Sequence, residues 1–311
     1  MRGLELCEEF YRTCGEPLLR EQFAHLLPHI AVAALGAGSE HLGYDDEISH
    51  DHDFSAGFLI LLPDEQTVSR RDAFLLERAY EKLPRLFHGV ARERLSPVGG
   101  NRHGVQRLAE LLQAHTGTPD GRPTLAALCR LPEQSLLELT RGRVLYDGAG
   151  ELTRVRAELS YLPADVRLKK LAGELVLMGQ TGEYNRPRML ARGDAAAAAL
   201  CAAEFVRHAM HAAFLADSTY MPYYKWQFRA LADLPRMREL HAPLAELLGC
   251  AEPSERASHL VLCVCRRLLG MLAEQGLVSS DAISCEQAGY EVERHVADPL
   301  LRNAHVLYAV D

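Results

Sequence analysis

Two short apolar runs restrict the first half of this chain more than any other feature: Ile30-Ala31-Val32-Ala33-Ala34-Leu35 and Phe58-Leu59-Ile60-Leu61-Leu62. Runs this short, apolar at every position and bounded by turn residues, suit strands buried on both faces of a sheet. The first run passes into the turn Gly36-Ala37-Gly38-Ser39, and a polar stretch then leads to His50-Asp51-His52-Asp53-Phe54. The second run continues that segment and stops at Pro63. The order is therefore strand, glycine turn, acidic segment, strand.

Around this unit the pattern predicts two helical pieces over about 4–27, interrupted by Gly15 and Pro17, and an amphipathic helix over about 68–83. It predicts a strand over Leu86 to Leu95, a helix over Val105 to His115, and a closing strand at Arg143-Val144-Leu145-Tyr146-Asp147. Beyond about residue 151 the periodicity is almost wholly helical, with blocks near 151–159, 164–180, 193–217, 222–232, 235–249, 254–276 and 285–299. The expected class is α+β: a small mixed sheet with flanking helices over 1–155, then an all-helical bundle over 156–311.

Bulk composition narrows the function classes. The formal net charge of −8 argues against extended nucleic acid as a partner, because that affinity rests on many basic contacts to phosphate. The opening MRGLELCEEF has no apolar core, and the small-apolar run Ala195 to Ala203 is too short to span a bilayer. A cytoplasmic protein without a membrane partner is expected. The eight cysteines include no CxxC pair, so idle thiols are expected ahead of zinc ligands or disulfides.

The chemistry concentrates at Gly38-Ser39 and Asp51-His52-Asp53. On a strand, Asp51 and Asp53 emerge on one face and His52 on the other. Two carboxylates so placed suit a hard divalent cation, Mg²⁺ or Mn²⁺, which bridges triphosphate oxygens. Gly38 permits close backbone approach to a phosphate, and Ser39 offers it a hydroxyl and an amide. A GS or D-x-D pair alone is weak evidence. Their ordered combination between two apolar strands is moderately specific.

The stretch Leu35 to Phe54, LGAGSEHLGYDDEISHDHDF, resembles the signature of a bacterial family of uncharacterised domains. That family is similar to the DNA polymerase β-like nucleotidyltransferases, including kanamycin-type and minimal enzymes. Leu139-Thr140-Arg141-Gly142-Arg143-Val144-Leu145-Tyr146-Asp147-Gly148 resembles the end of the family's catalytic domain. Tyr161-Leu162-Pro163-Ala164-Asp165-Val166 resembles the opening of its helical half, and Pro222-Tyr223-Tyr224-Lys225-Trp226 its Pro-Tyr-x-Lys-Trp segment. The resemblance implies a nucleotidyltransferase domain followed by a helical domain contributing to a nucleotide cleft. It implies transfer of a nucleoside monophosphate from a triphosphate such as ATP to an acceptor hydroxyl, a small molecule being the favoured acceptor. Asp51 and Asp53 would hold the metal, and Gly38 and Ser39 the phosphates. Lys225 and Arg186, the latter in a Gly/Arg/Gly-Asp stretch, would also contact the nucleotide.

One feature departs from the superfamily pattern. A third carboxylate usually comes from a neighbouring strand, and between 86 and 105 the sole carboxylate is Glu93, in Arg92-Glu93-Arg94. If Glu93 does not serve, the chain is a nucleotide-binding or regulatory module that kept the fold without turnover. Glu174 and Glu183 are candidates for a base acting on the acceptor hydroxyl. His50 and His52 suit backbone or carboxylate pairing better than zinc. Arg207 and His211, an i, i+4 pair, suit a structural role, and Asp194 an N-cap.

Overall fold

The computed structural model describes residues 1–50, 55–92 and 102–310. The chain separates into two compact units, the first comprising Met1–Pro123 with Ser135–Ser160, the second Thr124–Gln134 with Tyr161–Asp311.

The first unit is built on a four-stranded sheet. Its strands are β1 (Ala31–Ala34), β2 (Leu59–Leu62), β5 (Gly104–Arg107) and β6 (Arg143–Asp147), in the order β5-β2-β1-β6. A separate hairpin joins β3 (Leu86–Phe87) to β4 (Val90–Ala91). β1 runs antiparallel to β2, with Ala31 opposite Leu61 and Ala33 opposite Leu59. β6 closes antiparallel on the other side of β1, with a register shift between Val32 and Ala33. β2 and β5 are parallel, Leu59 opposite Gly104 and Leu62 opposite Arg107. The sheet is therefore mixed, as expected.

The two apolar runs are the central strands because they alone lack a polar face. All eight residues of β1 and β2 are buried. Ile30, Val32, Phe58, Ile60 and Leu62 point into one core with Leu6, Phe10, Leu19, Leu76 and Tyr80. Phe58 organises it, with ring centroids 5.7 Å from Phe10, 5.3 Å from Tyr11 and 5.1 Å from Tyr80. A parallel pair needs a crossover. The connection from β2 to β5 contains the helix Arg70–Glu81, whose N-cap Ser69 accepts from Asp72 N.

The Tyr80 hydroxyl donates to Phe58 O (3.0 Å) and accepts from Phe58 N (3.2 Å), locking the crossover helix to the residue before β2. Tyr80→Phe removes both bonds and leaves the buried Phe58 N–H without its partner, while Phe58 O keeps its bond from Gly104 N (3.0 Å). It should cost about 1–3 kcal/mol, measured as a lowered urea midpoint at unchanged slope.

Local details depart from the sequence pattern in instructive ways. The N-terminal break at Gly15 and Pro17 is a π-turn, Tyr11–Gly15, joining the helices Gly3–Phe10 and Glu16–Gln22. Pro17, which has no N–H to donate, lies in the first turn of the second helix, directly after the π-turn. The strand expected over 86–95 is divided by a tight turn, with His88 (φ 49°) and Gly89 (φ 81°) both left-handed. The helix expected from Val105 starts only at Leu108, because 104–107 is taken by the ladder to β2.

The second unit contains helices and no strand among its described residues. Its centre is the helix Ala164–Met178, buried over most of its surface. This helix continues through a π-turn, Gly179–Asn185, into Arg186–Ala191. The long helix Ala195–Ala216 begins at Asp194, whose side chain accepts from Ala197 N at 2.9 Å. The helices Glu255–Glu274 and Cys285–Glu293 also belong to this unit. No helix among the described residues is long and apolar enough to cross a membrane.

Candidate functional site

β1 ends at Ala34, and the chain turns through Gly36 and Gly38 into a single helical turn, Ser39–Leu42. Backbone bonds hold this turn: Gly36 N donates to Glu138 O (3.2 Å) and Gly142 N to His41 O (3.1 Å). Gly38 has φ −74°, which any residue adopts. A side chain there would meet the Glu40 carboxylate, which folds back over it and is flexible enough to move. Internal sterics therefore do not demand glycine at 38.

Two buried histidines adjoin this turn. His41 is pushed down to about 3 by burial, then by the positive charge of His103 and Arg102. His103 is pushed down to about 4 by burial, then by Arg102 and Arg92. Both are therefore neutral at neutral pH, and the Nε2 of His41 lies 3.5 Å from Glu40 Oε1 as a polar contact rather than an ion pair. The Nδ1 atoms of both rings are buried and have no hydrogen-bond partner among the described residues. The His103 ring lies against Gly57, where a Cβ would collide with it. The sequence pattern singled out neither histidine.

Asp51, Asp53 and Glu93 lie outside the described residues, as does His52. Gly38 and Ser39 are neighbours at one end of β1. β5, the strand beside β2, reads Gly104-Val105-Gln106-Arg107 and carries no carboxylate. Its Arg107 donates to the carbonyls of Pro63, Asp64 and Val68.

The second unit holds a buried charge network that the sequence did not reveal. His211 Nδ1–H donates to Glu174 Oε1 (2.7 Å), and its Nε2–H donates to Glu133 Oε1 (2.9 Å). Glu174 Oε2 accepts from His208 Nδ1 (2.7 Å), and Arg207 donates to His208 Nε2 (3.2 Å). Glu133 Oε2 accepts from Met221 N (3.0 Å), and Lys170 Nζ lies 3.9 Å from Glu133 Oε1. Burial pushes the His211 imidazole down, but Glu133 and Glu174 together overcome it and hold it up to about 10. Burial raises Glu174, and His211 and His208 outweigh it, leaving the carboxyl at about 2. With both oxygens occupied and so low a basicity, Glu174 is unsuited to act as a base on an acceptor hydroxyl. Arg207 and His211 share a helix, yet they act through different partners rather than as a pair.

Arg186 and Lys225 fare differently. Arg186 is 1% exposed, and its guanidinium grips Glu252 through Nε (2.7 Å) and Nη2 (2.9 Å) and donates to Ser258 Oγ (3.0 Å). It is a buried structural cation with its donors engaged inside the helical unit, so the structure corrects the expectation that it meets a nucleotide. Lys225 is exposed in the 3₁₀ turn Tyr224–Trp226, its Nζ 5.4 Å from the Trp226 ring centroid. Arg229 approaches the same ring at 5.8 Å. Lys225 therefore carries a solvent-facing charge supported by an aromatic face.

Comparison with known proteins gives three findings. No curated protein matches the chain. A nucleotidyltransferase-like protein from Exiguobacterium sibiricum 255-15 is similar in structure over 90% of this chain and 79% of that one, at 14% identity and a TM-score of 0.37. Residues 129–227, the stretch that contains Glu133, Glu174, His208, His211 and Lys225, match the family described as "Domain of unknown function (DUF4037)".

Proposed function

We propose that this chain is a metal-dependent nucleotidyltransferase of the polymerase β-like type. The observation that carries this is the antiparallel pairing of β1 with β2. It makes the connection bearing Gly38-Ser39 and Asp51-His52-Asp53 begin and end on adjacent buried strands. In the reaction an acceptor hydroxyl oxygen bonds to the α-phosphorus of a nucleoside triphosphate. The bond from that phosphorus to the β-phosphate bridging oxygen breaks, pyrophosphate leaves, and the hydroxyl proton passes to solvent or a base. Mg²⁺ or Mn²⁺ held by Asp51 and Asp53, an all-oxygen donor pair, would neutralise triphosphate charge. Gly38 and Ser39 would grip the β- and γ-phosphates through backbone and hydroxyl. The test is incubation with each of four triphosphates, Mg²⁺ and a panel of small hydroxyl-bearing metabolites, with mass spectrometry for nucleoside monophosphate adducts and an assay for pyrophosphate.

The absence of a carboxylate from β5 favours a second reading, a nucleotide-binding module without turnover. Tight Mg²⁺-dependent triphosphate binding with no adduct and no pyrophosphate would select it, and Glu93→Gln would then change nothing. The resemblance of Pro222-Tyr223-Tyr224-Lys225-Trp226 to the family's Pro-Tyr-x-Lys-Trp segment supports Lys225 as a further contact for the nucleotide. Lys225→Met keeps the apolar stem and removes the ammonium. Calorimetry should show triphosphate affinity weakened about tenfold, roughly 1.4 kcal/mol, with the ligand-free unfolding midpoint unchanged. The opposite pattern would make Lys225 structural.

A further inference from the structure

The cysteines, expected to be idle, include two that are not isolated. Cys265, midway along Glu255–Glu274, and Cys285, the first residue of Cys285–Glu293, are 3% and 0% exposed. Glu183, in the π-turn Gly179–Asn185, joins them, and ligand atoms from the three residues all lie within 4.8 Å of one another. We propose that Glu183, Cys265 and Cys285 form a binding site for a thiophilic divalent cation, Zn²⁺ by its chemistry.

Several features converge on that assignment. The three donors come from three different elements, so local sequence does not explain their meeting. The π-turn is what brings Glu183 into place; such turns interrupt α-helices often at functional sites. It approaches the start of Cys285–Glu293 so closely that a Cβ on Gly179 would collide with Glu286 N. The Cys285 amide donates to Glu183 Oε2 (2.9 Å), fixing the carboxylate and leaving its other oxygen to the cluster. The two thiol sulfurs and the Glu183 carboxylate face one another closely enough for a single ion to contact all three. Zinc favours sulfur with oxygen or nitrogen donors in four-coordinate sites, often three from protein and one from water. Glu183 is partly exposed, which gives water and the ion a route in. Binding replaces the two thiol protons: one Zn²⁺ enters, two Zn–S bonds form and two H⁺ leave. The ion clasps the π-turn to two helices.

The test uses the full chain, reduced and stripped of metal, titrated with Zn²⁺ and separately with Co²⁺. One Zn²⁺ per chain is expected, with about two protons released, read by calorimetry in buffers of different ionisation enthalpy. Co²⁺ should give thiolate-to-cobalt charge-transfer absorption, and Zn²⁺ should raise the unfolding temperature. Cys265→Ser and Cys285→Ser should each abolish stoichiometric binding, and Glu183→Gln should weaken it tenfold or more. Far-ultraviolet circular dichroism of the metal-free variants checks that they fold. Should Cys285→Ser fail to fold, alkylation kinetics on the wild-type chain answer the same question, because Zn²⁺ should protect both thiols. The double variant Asp51→Asn/Asp53→Asn should retain the signal, separating this site from the proposed Mg²⁺ site. No stoichiometric Zn²⁺ by the reduced chain, binding indifferent to both cysteine variants, or a Cys265–Cys285 disulfide that persists under reductant and blocks zinc would each overturn the proposal.

Discussion

Asp51→Asn and Asp53→Asn are each expected to lower nucleotidyl transfer by about 10²–10³-fold. Asparagine keeps the size of aspartate and one oxygen but removes the charge that a divalent cation needs. Breaking one partner of a desolvated charge pair costs on the order of 3–4 kcal/mol, and each 1.4 kcal/mol is tenfold. The following core residues Ala56, Phe58 and Ile60, each 0% exposed, are untouched by either change. The unfolding midpoint should therefore hold while Mg²⁺-dependent triphosphate affinity collapses. Turnover and metal dependence that survive both substitutions would sink the proposed function.

The second large effect concerns stability. Glu174→Ala should destabilise the protein by roughly 3–5 kcal/mol, because it leaves the buried His208 and His211 without the carboxylate that both of them bond. Equilibrium unfolding in urea measures it. The pH dependence of the wild-type protein gives an independent check. His211 is raised from 6.5 to about 10, so its contribution is full below pH 6.5 and is lost as pH rises towards 10. Glu174 is lowered from 4.5 to about 2, so its contribution is full above pH 4.5 and is lost as pH falls towards 2. The network's contribution should be greatest between about pH 4.5 and 6.5. His211→Gln should flatten the alkaline limb of the stability profile. A limb unchanged by that substitution would mean the histidine does not titrate with folding.

Much of the proposed active region was legible in the sequence because its determinants are local. Continuous apolar runs declare strands buried on both faces, and 31–34 and 59–62 are adjacent central strands. Glycine and serine after a strand declare a turn, and Asp194 before an alanine-rich segment declares a cap. These signals lie within a few residues of what they determine. By contrast, 105–107 reads as the start of a helix, and only the ladder of 104–107 to β2 makes it a strand. His211 meets glutamates 37 and 78 residues away, and Arg186 meets Glu252 across 66. Cys285 meets Glu183 across 102. No periodicity records such meetings, because an isolated charged or thiol side chain looks alike in solvent and in a core. What the sequence alone determined is the class of the fold, its central strands and the residue types proposed for phosphate and metal. Only tertiary structure decided which charged side chains are buried and by whom they are matched, since desolvation and pairing are properties of the packed interior.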